Sequence, residues 1–153
     1  LEVVATAFVI AIMAGLSFPM LVPRYQAYQM RSAAWQVAGD LRLARQRAVT
    51  TRNTYRFAFA DRSASANSNS YVIEYATQPG AAWVQEIPPA SGARRGFAGG
   101  ISIETSSTPP GRTITFNPNG SVVPTGTIRL TGSGGIAVSL AVDQVGRVQV
   151  NQP

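Results

Sequence analysis

The chain has no cysteine, no histidine and no lysine; all 13 of its basic residues are arginine. Without cysteine it has neither a disulfide nor a thiolate metal site. Without histidine it lacks the commonest general base and the commonest metal ligand, so Ser-His-Asp and Cys-His catalysis are excluded. Acids are scarce as well. Glu2, Asp40, Asp61, Glu74, Glu86, Glu104 and Asp143 are scattered with no close pair in sequence. No phosphate-cradling glycine loop, dinucleotide fingerprint or calcium loop occurs. An enzyme is not expected, and no cofactor or metal is implied. Charged residues are 13% of the 153, against 14 glycines and 10 prolines, a composition suited to strands and turns. The net charge of +6 keeps polyanions open as partners, because guanidinium groups recognise phosphate and carboxylate.

Charge is absent altogether from residues 3–23. About twenty apolar residues in a helix span a bilayer core. One acid, Glu2, stands just before this run. A carboxylate at such a place is costly in lipid and usually has a partner or a task. The run exceeds a signal-peptide core, has no basic segment before it and leads into further helix, so it reads as retained. Pro19 and Pro23 interrupt it, and each removes a helix hydrogen bond, so a kink or local melting is expected there. Arg24, Tyr25 and Tyr28 then form a basic and aromatic edge suited to a membrane interface.

From 24 to 52 the pattern becomes amphipathic. Met30, Ala34, Val37, Leu41, Ala44 and Ala48 step by four and three, a stripe of mostly small residues fit to lie close on a sheet. Arg31 and Arg42 share another face. Arg45, Arg47 and Arg52 crowd the C-terminal end, where cations complement the helix dipole. Asn53 is the expected stop.

Beyond it the period changes to alternation. Tyr55, Phe57 and Phe59 give a strand with an aromatic inner face. Residues 61–70 read as a polar loop, and 71–76 as the returning strand. Further short strands are expected at 82–87, 101–104, 113–116, 127–131, 136–142 and 147–150, the last two as a hairpin. Asn117-Pro118-Asn119-Gly120 is a strong turn signal. The expected fold is α+β: one long helix, apolar in its outer half, packed by its C-terminal half on an antiparallel sheet or small sandwich of about eight strands. Residues 1–23 form the apolar helical unit and 24–153 the globular unit.

The opening resembles the N-terminus of type IV pilins and pseudopilins. That family places a glutamate in an apolar segment and a helix-breaking proline seventeen residues later, as Glu2 and Pro19 stand here. By this match three mature residues, the first N-methylated, would precede Leu1. The stretch from Asp40 to Ala48, the aromatic strand, Ile114-Thr115-Phe116-Asn117-Pro118-Asn119-Gly120 and the terminal Gly146-Arg147-Val148 are similar to the GspH/FimT group of minor pseudopilins and minor pilins. The resemblance implies a pilin fold and a structural subunit of a type IV pilus-like filament or a type II secretion pseudopilus. The subunit would wait as a single-pass protein of a bacterial inner membrane. The assembly machinery would then pack it, helix on helix, into a periplasmic or extracellular filament of like or unlike subunits. Glu2 would attract a neighbour's N-terminal ammonium, and Pro19 and Pro23 would make the packed helix extensible. FimT-like proteins bind DNA through a C-terminal Gly-Arg-x-Arg; Gly146-Arg147-Val148-Gln149 keeps the first arginine and not the second. DNA is therefore an alternative partner, with Arg94, Arg95, Arg112, Arg129 and Arg147 as the residues expected to meet phosphates if they cluster. A membrane-anchored domain that never polymerises is a third reading.

Overall fold

The computed structural model describes residues 2–59, 67–68, 70–78, 80–87, 94–97, 100–104, 109, 112–132 and 135–151, with the side chains of 2 and 13–23 left outside that description. A single helix, α1 (Glu2–Thr51), takes up 50 residues. At a rise of ~1.5 Å per residue it is about 75 Å long. The helix runs through Pro19 and Pro23 as one element. The side chains of Glu2, Pro19 and Pro23 lie outside the described residues. Among the described residues no helix is long and apolar enough to cross a membrane. The expected span rests largely on side chains 13–23, which are not among them.

The C-terminal half of α1 buries the expected stripe. Met30, Ala34, Val37, Leu41, Ala44 and Ala48 are all inside the core, joined by Ala33 and Ala38. Alanines on this face bring the helix axis close to the strands. The helix ends one residue earlier than expected, at Thr51, because Arg52 takes a left-handed conformation (φ 55°) and turns the chain out of the helix.

Two antiparallel sheets carry the rest. One has the order β4-β3-β1-β7-β8, with β5 also on β3. Its members are β1 (Thr54–Phe59), β3 (Ser70–Ala76), β4 (Val84–Ile87), β5 (Arg95–Gly96), β7 (Thr113–Phe116) and β8 (Val122–Val123). The other has the order β11-β10-β9-β6-β2, made of β2 (Asn67–Ser68), β6 (Ser102–Glu104), β9 (Gly126–Thr131), β10 (Ala137–Val142) and β11 (Val148–Asn151). The alternation read from sequence sets the registers. Tyr55, Phe57 and Phe59 face inward on β1, Ile128 and Leu130 on β9, and Val138, Leu140 and Val142 on β10. β10 and β11 form the expected hairpin, Val142 opposite Val148.

Among the described residues eleven strands replace the expected eight or so. The additions, β2, β5 and β8, are two residues each. Backbone groups alone make such pairings, so no alternation announces them. One of them corrects the reading of 61–70 as a loop throughout. Asn67 and Ser68 pair with Glu104 and Ile103, whereas 61–66 lie outside the described residues. α1 packs across both sheets, touching β1 and β7 of one and β9, β10 and β11 of the other. The core is thus one continuous cluster beneath the helix.

Candidate assembly surfaces

The first surface is the free end of α1. Every described side chain from 3 to 12 is exposed. Val3 is 80% exposed, Phe8 67% and Ile10 67%, on all sides of the helix rather than along one stripe. Nothing among the described residues covers them. A helix apolar all round is stable only in lipid or inside a bundle of other helices.

The second region lies at the other end of α1, where three distant motifs meet. Asn117-Pro118-Asn119-Gly120 forms a turn closed by Gly120 N–H donating to Asn117 O (2.8 Å) and Asn117 N–H donating to Ser121 O (2.9 Å). Asp143 closes the β10–β11 turn, its Oδ1 accepting the Arg147 N–H at 2.7 Å. Val122 N–H donates to Gln144 O (3.0 Å) and ties the two turns together. Between them runs Arg45 of α1, whose Nε donates to Gly120 O at 3.4 Å. A Cβ on Gly146 would lie 2.6 Å from Arg45 Nε and 2.8 Å from Gly120 O, and its φ is +74°. Only glycine fits there. Gly120, at φ +82°, similarly faces Val49 and Arg45. Arg42, one turn earlier, donates to Val148 O at 3.4 Å. The arginines of α1 therefore hold both terminal turns to the helix.

A third cluster ties β3 and β5 to the middle of α1. Asp40 is the one buried charged residue of the described core. Its carboxylate accepts from the Tyr71 hydroxyl (2.6 Å) and from Arg95 Nη1 (3.0 and 2.9 Å). Gln36 Nε2 donates to the same hydroxyl at 3.0 Å. Tyr71 is fully buried and stacked on Phe57, ring centroids 4.6 Å apart. Burial pushes its phenol well above the ordinary value, and the bond to Asp40 adds to the rise while Gln36 opposes it. Sequence reading missed this cluster. The signal was present: Asp40 stands beside Leu41 on the core side of a helix, and a buried carboxylate needs a cation.

The five candidate phosphate-binding arginines do not share one element. Arg95 is held by Asp40, and Arg129 on β9 pairs with Glu104 on β6 at 3.3 Å. Arg94 precedes β5 and donates to Ser70 Oγ at 3.2 Å. Arg112 precedes β7, at φ 55°, its N–H donating to Pro109 O. Arg147 lines an open groove of ≈ 760 Å³ between the β8–β9 segment and the β10–β11 hairpin, with Gln149 and Asp143. Two further ion pairs join Arg56 to Glu74 and Arg47 to Glu86. Among the described residues no group of His, Cys, Asp and Glu could hold a metal ion.

Residues 33–146 match the family model described as type II transport protein GspH. The chain belongs to the GspH family. That match takes in Asp40, Arg45, Gly120 and Gly146, the residues of the second and third clusters. The fold agrees with two solved minor subunits. The type IV minor pilin FimU of Pseudomonas aeruginosa PAO1 is 21% identical, with TM-score 0.60 over 82% of this chain and 90% of that one. The minor pseudopilin EpsH of the Vibrio cholerae Type 2 Secretion System is 11% identical, with TM-score 0.62 over 82% of this chain and 98% of that one. No curated protein sequence matches the chain. This GspH-family protein thus has the pilin fold expected of it: a long helix laid on antiparallel sheets.

Proposed function

We propose that this GspH-family chain is a structural subunit of a type IV pilus-like filament or a type II secretion pseudopilus. Residues 1–23 anchor it in the inner membrane before assembly and enter a core of packed helices afterwards. The observation that carries the proposal is the bare apolar end of α1. Val3, Val4, Phe8, Val9, Ile10 and Ile12 are each about half exposed or more, in a chain that buries its other apolar stripe completely. Moving six such side chains from water to an apolar environment is worth roughly 10 kcal/mol. Lipid supplies that environment first and neighbouring helices supply it later, so transfer between the two is nearly neutral in apolar burial. Something more specific must then set the register. Glu2 is suited to that task, because attraction to a neighbour's N-terminal ammonium is strong where water is excluded and offsets burial of the carboxylate. Pro19 and Pro23 lower the cost of opening the helix in the same zone and make the packed filament extensible. Replacing Glu2 by Ala or Leu is expected to abolish incorporation into filaments while the subunit remains in the membrane fraction. Incorporation at the normal level would refute the role of Glu2.

A second reading, DNA binding, draws support from Arg147 in the open groove, with Arg94 and Arg112 having no acidic partner among the described residues. Phosphate contacts of this kind weaken steeply with salt. A gel shift with the full-length chain in detergent, at low and high salt, tests it; no shift at low salt would eliminate it.

A further inference from the structure

We propose that the β7–β8 turn is a latent modification site: Asn119 converts spontaneously to aspartate and isoaspartate when the turn opens, and the closed turn holds it inert. Asn119-Gly120 is the one Asn-Gly pair of the chain. The reaction needs only water. Hydroxide takes the Gly120 amide proton, and that nitrogen bonds to Asn119 Cγ. The Cγ–Nδ2 bond breaks and ammonia leaves, so a five-membered imide closes on the backbone. Water then opens the ring. Attack at Cγ gives aspartate. Attack at the main-chain carbonyl carbon gives isoaspartate, with one extra methylene in the main chain. Glycine is the follower that permits this closure best, because no side chain crowds its nitrogen.

Asn119 is exposed, so burial does not protect it. Its hydrogen bonds do. Gly120 N–H donates to Asn117 O at 2.8 Å, and its proton leaves only after that bond opens. Asn119 Oδ1 accepts from the Ser121 N–H at 3.0 Å and from the Ser121 hydroxyl at 2.7 Å. The same hydroxyl accepts from Asn117 Nδ2 at 3.0 Å and so laces both carboxamides together. Two donors on Oδ1 also polarise Cγ, but polarisation accelerates nothing while the nitrogen keeps its proton. The backbone opposes closure as well. Pro118 presets the turn, and Gly120 follows Asn119 at φ +82°, the pattern of a hairpin with one bulged residue. Asn119 then sits where ψ is about 0°, and the imide ring requires a different value. Asn117 supplies a contrast, since its follower is proline, whose nitrogen has no proton to lose.

The product does not fit the fold. Gly120 is buried against α1: a Cβ on it would lie 3.3 Å from Val49 Cγ2, and its carbonyl accepts from Arg45 Nε at 3.4 Å. An added main-chain methylene before Gly120 displaces that carbonyl. A converted turn therefore loses its seat on α1, and one long opening is recorded permanently.

The test incubates the full-length chain in detergent at mildly alkaline pH, either folded or in guanidinium chloride. Mass spectrometry of the fragment 113–129, cut at Arg112 and Arg129, reads replacement of the Asn119 carboxamide nitrogen by oxygen, with Asn117 as internal control. The folded chain is expected to convert more slowly than the denatured one by about tenfold or more. Ser121→Ala is expected to raise the folded rate about fivefold and to leave the denatured rate unchanged. Arg45→Met releases Gly120 O without touching the turn's own bonds and is expected to raise the folded rate by a smaller factor. Amide hydrogen exchange at Gly120 should quicken in both variants, which ties conversion to opening. Equal rates in the folded and denatured chains would overturn the proposal. So would a folded rate indifferent to both variants, or conversion that quickens while exchange at Gly120 does not. Chains converted in denaturant and returned to native buffer are expected to melt below the native chain; native melting would overturn the permanent record.

Discussion

The two halves of α1 share one backbone and live in opposite surroundings. From 24 to 51 the helix is covered along one side: Met30, Ala34, Val37, Leu41, Ala44 and Ala48 are buried, while Tyr28, Trp35 and Gln46 on the far side are not. From 3 to 12 every described side chain is exposed, although the residues are more apolar. Within the chain, apolarity therefore does not decide burial; a matching surface does. The sheets supply that surface for one half only, and the described side chains of the other half, 3–12, stay exposed.

That contrast can be broken by mutation, most strongly at the core. Leu41→Ala removes a fully buried side chain between α1 and the sheets and is expected to cost about 3 kcal/mol in a urea titration. Phe8→Ala removes a larger side chain from the free half and should leave the same titration within about 0.5 kcal/mol of the native value. A comparable loss from both would mean the free half packs on the domain.

The next effect belongs to the buried charge. Asp40→Ala strands Arg95 and the Tyr71 hydroxyl, and the expected loss is about 2 kcal/mol. It stays below that of a fully buried pair because the Arg95 side chain is 43% exposed. Arg45's clamp comes third. Gly146→Ala forces a Cβ against Arg45 and Gly120 O at a left-handed φ, for an expected loss of about 1–2 kcal/mol measured by thermal melting.

The smallest effect is one of pH. The Tyr71 phenol is raised in the folded chain above its ordinary 10.0, so at alkaline pH the unfolded chain loses this proton first. The unfolded state then binds fewer protons, and stability falls as pH rises above about 10, by about 1 kcal/mol over the first unit. Tyr71→Phe should flatten that fall while lowering stability at neutral pH through loss of the bond to Asp40. An unchanged alkaline slope in the variant would show that another group is responsible.

Local periodicity carried a large part of this fold into view. The helical stripe on α1 and the alternation on β1, β9 and β10 are repeated signals, because a packed face constrains every third or fourth residue of a helix and every second of a strand. Gly120 and Gly146 were visible too, as turn residues beside Asn119 and Arg147, although their contact with Arg45 was not. β2, β5 and β8 stayed hidden, since two backbone pairs leave no pattern in side chains. The arginines were the hardest to read. In sequence all 13 are alike, and Arg95 and Arg129 looked as available to phosphate as Arg147.

Sequence by itself determined an apolar first helix half with Glu2 just before its uncharged run, an amphipathic second half, an antiparallel α+β body and the motifs of the GspH family. Each depends on residues close together in the chain or on fixed spacing. Only the tertiary structure decided that Asp40 takes Arg95, that Glu104 takes Arg129, and that Arg45 lies between two turns more than seventy residues away from it (Gly120 is 75 positions on). Ion pairs and close approaches are properties of distance in space. Until the strands fixed those distances, nothing in the chain distinguished an arginine that holds the fold from one, such as Arg31, left facing outward.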